Sequence, residues 1–309
     1  MSKAIVIIPV YKDNLSLLEK ASLVQCCKTL RRHPLSLICP RDLDTNVYTD
    51  ILKEYEINFN IVEFPPEYFA GIAGYNRLML NINFYERFKM YEFMLIYQLD
   101  AYVFRDELDY WCSQGYDYIG APWFEGYGSC GNESVLLKDA GNGGFSLRNI
   151  ASFIDVLNSG GESGVIVKNF IDSGANEDGF FSLCAKKVNG NFNVAQPDVA
   201  MHFSFECMPE KLYEMTGKKL PFGCHAWEKY NSDFWNRFMD FKSLGIKLDS
   251  KGILFLRNNR YFSYGKRYVL VKVSLLKMVI GKCLSMVING RFRQPIRMIY
   301  YAIRLRKLK

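Results

Sequence analysis

The sequence contains no Cys-x-x-Cys pair, and its three histidines (33, 202 and 225) do not stand at ligand spacing from two cysteines. That absence excludes a zinc finger. Nine cysteines remain, an odd number at irregular positions, so reduced thiols of a cytoplasmic protein are expected rather than a disulfide framework. Long hydrophobic runs are missing too. The opening "MSKAIVIIPVYKDN" offers seven apolar residues and then charges. That is too short for a signal peptide or a membrane span, and it suits a first buried strand. There is no internal repeat and no low-complexity linker.

Acidic residues are absent from one region only. From Lys251 to Lys309 there are fifteen Lys and Arg and no Asp or Glu, so the formal charge of +7 hides a body, residues 1–250, of about −8. The expected division is a catalytic domain over 1–250 and a basic amphipathic segment over 251–309. Lys or Arg interrupts the apolar stretches of that segment about every five residues, which argues against a spanning helix. It favours a helix lying on an anionic membrane surface. A charged face folded on the body and an RNA-binding arm are the alternatives. An acidic body without a basic, ring-studded stripe speaks against nucleic acid as the partner.

What is present reads as α/β. "KAIVIIPVYK", "PLSLICP", "FNIVEFP" and "EFMLIYQLDAYVF" have strand character, with helical spacing in "LSLLEKASLVQCCKTLRR" and "YNRLMLNINFYERFKMY" between them. Such alternation predicts a mixed, mostly parallel sheet flanked by helices. "VAMHFSFE" reads as a further strand and "IASFIDVL" as a short helix. Aromatic residues make up 15% of the chain, which suits sugar stacking and ordinary cores alike.

Four stretches carry candidate chemistry. Asp100 in "YQLDAYVF" ends an apolar run, where a charge is costly unless paired; it caps a turn, or it holds a metal ion or sugar hydroxyl beyond the sheet. In an Asp-x-Asp pair its partner would be residue 102, which is Tyr102, and one carboxylate alone is a poor divalent site. "GNGGFSLR" (141–148) allows close backbone approach or a tight turn. "NEDGFFS" (176–182) offers either a helix cap through Asp178 or a general base. "FGCHAWEK" carries His225, an ordinary histidine or a ligand.

Taken in order, "YQLDAYVF", "GYDYIGAPW", "GNGGFSLR", "NEDGFFS", "FSFE" and "PFGCHAW" resemble the DUF5672 family over roughly residues 55–230, a family similar to glycosyltransferases of the GT-A (Rossmann-like) fold. The resemblance implies transfer of a hexosyl unit from a nucleotide sugar to a hydroxyl of a saccharide, lipid-linked in a surface-polysaccharide pathway such as O-antigen or capsule synthesis. It implies Asp178 or Glu177 as the base of an inverting reaction. Pro9, Tyr11, Asn76, Arg77, Asp100, Gly143 and Gly144 would border the donor, and Trp123 would stack on the acceptor. Asp100 and His225 would hold Mn²⁺ or Mg²⁺, with Arg77 or Lys229 as an alternative source of positive charge. The implied location is the inner face of the cytoplasmic membrane. A non-catalytic carbohydrate-binding protein is the other reading of the same loops.

Overall fold

The computed structural model describes residues 3–239 except 128, 129, 132 and 236, all within the first of two compact units, Met1–Ile246. The basic segment 251–309 and its expected surface helix lie outside the described residues.

The four sequence-marked strands appear as β1 (Ala4–Pro9), β2 (Leu35–Pro40), β3 (Phe59–Phe64) and β4 (Phe93–Tyr97), parallel and ordered β3-β2-β1-β4 in space. Every residue of β1 and β4 is buried, as cover on both faces requires, whereas the edge strand β3 is mostly open. The short strands follow as β5 (Tyr102–Val103), β6 (Tyr118–Ile119), β7 (Pro122–Phe124), β8 (Leu136–Ala140), β9 (Phe145–Asn149), β10 (Ser204–Phe205) and β11 (Gly223–Cys224). β9 joins β4 antiparallel, and β6 completes the six-stranded sheet beyond it. One reversed strand among six gives the mixed, mostly parallel class that the alternation predicts.

The sheet grows from β1 to β3 on one side, then returns to place β4 on the other. That reversal leaves room for a ligand beyond the carboxyl ends of β1 and β4. The helix Leu17–Thr29 packs beside this edge. Its start is set by Ser16 and Glu19, whose side chains exchange hydrogen bonds with each other's backbone amides in a capping box. Against one face of the sheet, with Ile5, Ile7, Met94 and Ile96, lies an aromatic core in which Phe153 and Phe181 stack at 4.0 Å, edged by Tyr85, Tyr118 and Phe192.

Three elements differ from the sequence reading. "EFMLIYQLDAYVF" is not one strand: β4 stops at Tyr97, a turn closes from Ala101 N–H to the Gln98 carbonyl (2.8 Å), and β5 enters a separate sheet ordered β10-β11-β5. "VAMHFSFE" is chiefly the helix Pro197–Phe203, followed by the two residues of β10. Pro197 sits in the first turn, where its missing N–H costs nothing. The helical stretch after Gly71 divides into Gly71–Met79 and Ile82–Glu86, because Asn81 turns its side chain to cap the second through Asn83 N–H at 2.9 Å.

Candidate active site

The small sheet explains why three distant stretches meet. β10 and β11 are parallel, so the residues that follow them, Glu206 and His225, emerge at the same edge. β5 runs against β11 with Cys224 opposite Tyr102, so the residues preceding β5 reach that edge as well. There His225 Nε2 lies 3.1 Å from Asp100 Oδ1 and 3.2 Å from Gln98 Oε1, while Nδ1 lies 3.3 Å from Glu206 Oε1. Burial opposes charge on the ring, but Asp100 and then Glu206 outweigh it and raise the His225 pKa to about 10.

The glycine pair brings β9 onto the same point. Gly144 accepts a hydrogen bond from Gln98 N–H (2.9 Å), and a Cβ on it would stand 2.0 Å from His225 Nε2. A Cβ on Gly143 would stand 2.2 Å from Glu177 Oε1. Both positions therefore need glycine for close approach of side chains from elsewhere in the fold.

Glu177 is buried, and its Oε1 accepts from Arg148 Nη2 at 3.0 Å. Arg148, wholly buried, also donates to Tyr85 Oη (2.9 Å) and lies over the rings of Tyr118, Phe153 and Phe181. This ion pair anchors the start of the helix Glu177–Leu183 under the glycines. Asn76 adds to it by donating to the Asn176 side chain at 3.1 Å. Asp178 is half-buried, and burial, then the charge of Glu177, raises its pKa to about 7. Glu206 adds to the rise, against the hydrogen bond from Gly179 N–H and the charge of Arg148.

Of the residues expected from the sequence, Asp100, Gly143, Gly144, Glu177, Asp178 and His225 are brought together. Pro9 closes β1, next to β4 in the sheet, and the side chain of Tyr11 just beyond it is largely exposed, its pKa raised by partial desolvation and by the charges of Glu19 and Asp100. Asn76 braces the Asn176 loop, and the exposed Arg77 donates to the Glu67 carbonyl (3.3 Å). Trp123 is only 8% exposed and meets Tyr127 edge-on, and it is Tyr127 that is open to solvent. Tyr102 is buried in β5 against Trp227, so position 102 is not the partner of Asp100. The side chain that joins Asp100 at His225 is that of Gln98, two residues earlier. Gln98 and Glu206 escaped the sequence reading: the first is an amide where a carboxylate was sought, and the second belongs to a stretch read only as a strand.

The donor set can be tested against a divalent cation. Ligand atoms at adjacent corners of an octahedral Mg²⁺ site stand about 3.0 Å apart; the two spacings at His225 Nε2 are close to that. Glu206 on Nδ1 is the outer partner a metal-bound imidazole needs. The set reaches three donors only through the Gln98 amide, since among the described residues no three His, Cys, Asp or Glu side chains gather to hold a metal. The residues offer such an ion one carboxylate, one amide and one imidazole, and His225 must release the ring proton that its pKa of about 10 retains before it can coordinate.

A family model described as a protein of unknown function (DUF5672) matches residues 58–225, which contain Gln98, Asp100, the glycine pair, both acids, Glu206 and His225. The chain belongs to the DUF5672 family. No curated protein matches it in sequence. Solved structures similar to this DUF5672 chain are GT-A-like glycosyltransferases. The glycosyltransferase GlyE of Streptococcus pneumoniae TIGR4 is 12% identical, with a TM-score of 0.47 over 90% of this chain and 72% of that one. The galactosyltransferase LgtC, solved with donor and acceptor sugar analogs, is 14% identical, with a TM-score of 0.46 over 80% and 98%. Core-mannan synthase A of Aspergillus fumigatus, in an Mn/GDP form, is 10% identical, with a TM-score of 0.39 over 56% and 65%. Such scores describe general shape and transfer no residue roles.

Proposed function

We propose that this DUF5672 chain is an inverting glycosyltransferase, moving a hexosyl unit from a nucleotide sugar to a saccharide hydroxyl. The observation that carries the reading is the meeting of Asp100 and Gln98 at His225 against Gly144, with Glu177 against Gly143 and Asp178 next to Glu177 at the start of its helix. Asp178, with a pKa of about 7, is half ionised at neutral pH and takes the proton from the attacking hydroxyl. Glu177, held by Arg148, positions it. Tyr11 borders the nucleotide, and the aromatic loop of Trp123 and Tyr127 faces the acceptor. Asp100, His225 and Gln98 would hold Mn²⁺ or Mg²⁺, which when bound neutralises charge on the departing diphosphate.

The fifteen bases of 251–309 support an acceptor at an anionic surface, such as a lipid-linked saccharide. No helix of the described residues is long and apolar enough to cross a membrane. The test is a thermal-shift and calorimetric screen of UDP-, GDP-, CMP- and dTDP-sugars with and without Mn²⁺, because a ligand that binds only the folded state raises Tm. One responding nucleotide, followed by turnover with a saccharide acceptor, is the expected result. Saccharide binding without any nucleotide response would replace this reading with a non-catalytic lectin.

A further inference from the structure

Two thiols beside the site have no part in the proposed reaction. Cys207 directly follows Glu206 and is buried, and its sulfur shares a hydrogen bond with the half-buried thiol of Cys130. Cys130 lies in the connection from β7 to β8, whose backbone is braced locally by Cys130 N–H to the Tyr127 carbonyl (3.1 Å). Lys211, on the helix Pro209–Met215 just after Cys207, pins that connection. Its Nζ donates to the Ser134 carbonyl at 2.8 Å and lies 5.5 Å from the centre of the Phe124 ring. The contact between the thiols is therefore built by the packing of two elements.

The pair is also chemically unequal. The hydrogen bond from Cys207 lowers the Cys130 pKa to about 7 against burial and the Glu206 charge, with Lys211 helping. The same bond, then burial and Glu206, pushes Cys207 well up, while the Tyr230 hydroxyl bonded to its sulfur draws it down. Cys130 is the half-exposed member and Cys207 the buried one, so a small disulfide reaches Cys130 first and Cys207 is placed to resolve. By contrast, burial pushes up Cys26, Cys27, Cys39, Cys112 and Cys224.

We propose that Cys130 and Cys207 are an oxidative modification site, closing into a disulfide by exchange with a low-molecular-weight disulfide. The Cys130 thiolate attacks one sulfur of the small disulfide, forming a mixed disulfide and releasing one small thiolate. Cys207 then gives up its proton and attacks the Cys130 sulfur. The mixed bond breaks, and the second small thiolate leaves. Two protein thiols lose two electrons and two protons, and one small disulfide becomes two small thiols. The bond ties the β7–β8 connection to the residue next to the partner of His225. It does not depend on which reaction the site performs.

The test uses the full chain equilibrated with mixtures of reduced and oxidised glutathione, then acid-quenched, denatured and counted for thiols. The count is expected to fall from nine to seven, with peptide mapping joining Cys130 to Cys207. Cys207→Ser keeps a hydroxyl donor beside Cys130 but cannot resolve, so it should accumulate one glutathione on Cys130. Cys130→Ser should retain all its thiols. Nine thiols at every ratio, a lost pair that maps elsewhere, or a Cys207→Ser variant without the adduct would each overturn the proposal.

Discussion

Replacing Gly144 by alanine tests the site at its tightest contact. The new Cβ would stand 2.0 Å from His225 Nε2 and 2.5 Å from Cδ2 and Cε1, where ordinary contact begins at 3.4 Å. Gly144 does not hold a positive φ, so the substitution brings steric overlap without backbone strain. The imidazole must move by roughly 1.4 Å to relieve that overlap. Such a shift breaks its 3.1 Å contact with Asp100 and its 3.2 Å contact with Gln98. Overpacking costs about 1–3 kcal/mol, and losing hydrogen bonds between charged groups costs about 1.5–3 kcal/mol. Alanine regains about 0.4–1 kcal/mol by restricting the unfolded chain. The net loss is about 1.5–5.6 kcal/mol, or a fall in Tm of about 3–22 °C for a domain of this size. A displacement of that order should also lower turnover about 100-fold. Differential scanning calorimetry and a donor-turnover assay read the two effects. In the double variant Gly144→Ala/His225→Ala the methyl has space, so its Tm should lie near that of His225→Ala alone. A Gly144→Ala protein with wild-type Tm and turnover would refute the packing argument.

The other predictions concern charge. Asp178 has its pKa raised to about 7 in the fold, above the unfolded value near 3.9. Its contribution to folding is therefore present below about pH 3.9 and lost as pH rises through about 7. Asp178→Asn should then melt above wild type at pH 8, with the difference vanishing near pH 4. Turnover in the same variant should fall about 10²–10⁴-fold, and wild-type turnover should rise through about pH 7; undiminished turnover would remove Asp178 as the base. Arg148→Leu strands the buried Glu177 charge and should cost about 3–5 kcal/mol in urea denaturation. Arg148→Leu/Glu177→Leu should recover most of that, and a double variant as unstable as the single one would contradict it. Gln98→Asp adds a carboxylate beside Asp100 and should tighten Mn²⁺ binding roughly tenfold by calorimetry. Gln98→Ala should weaken it, and equal affinities in all three proteins would remove residue 98 from the donor set.

The local pattern along the chain determined the four parallel strands β1–β4 but not β6 or the reversed β9, which complete the central sheet. β1, β2 and β4 are apolar runs with both faces covered, so their character survives any tertiary arrangement. The helices Leu17–Thr29 and Ile150–Leu157 carry their own caps, Ser16 and Asn149, and were equally legible. Asp100, the glycine pair, the acids at 177 and 178, and His225 stood out because each residue type is odd in its local setting. Tertiary structure decided how they divide the work. Nothing in "NEDG" says that Glu177 meets a fully buried arginine while Asp178 does not; that follows from Arg148 on β9 reaching under Gly143. Nor does spacing along the strand show that Asp100 and Gln98, rather than Asp100 and Tyr102, meet at His225, because the turn at 98–101 ends the alternation on which a strand reading rests. Glu206 acquires a role only through the register of three two-residue strands, β5, β10 and β11. Strands that short leave no periodic signal, and a histidine held between carboxylates from separate loops is a property of the folded chain alone.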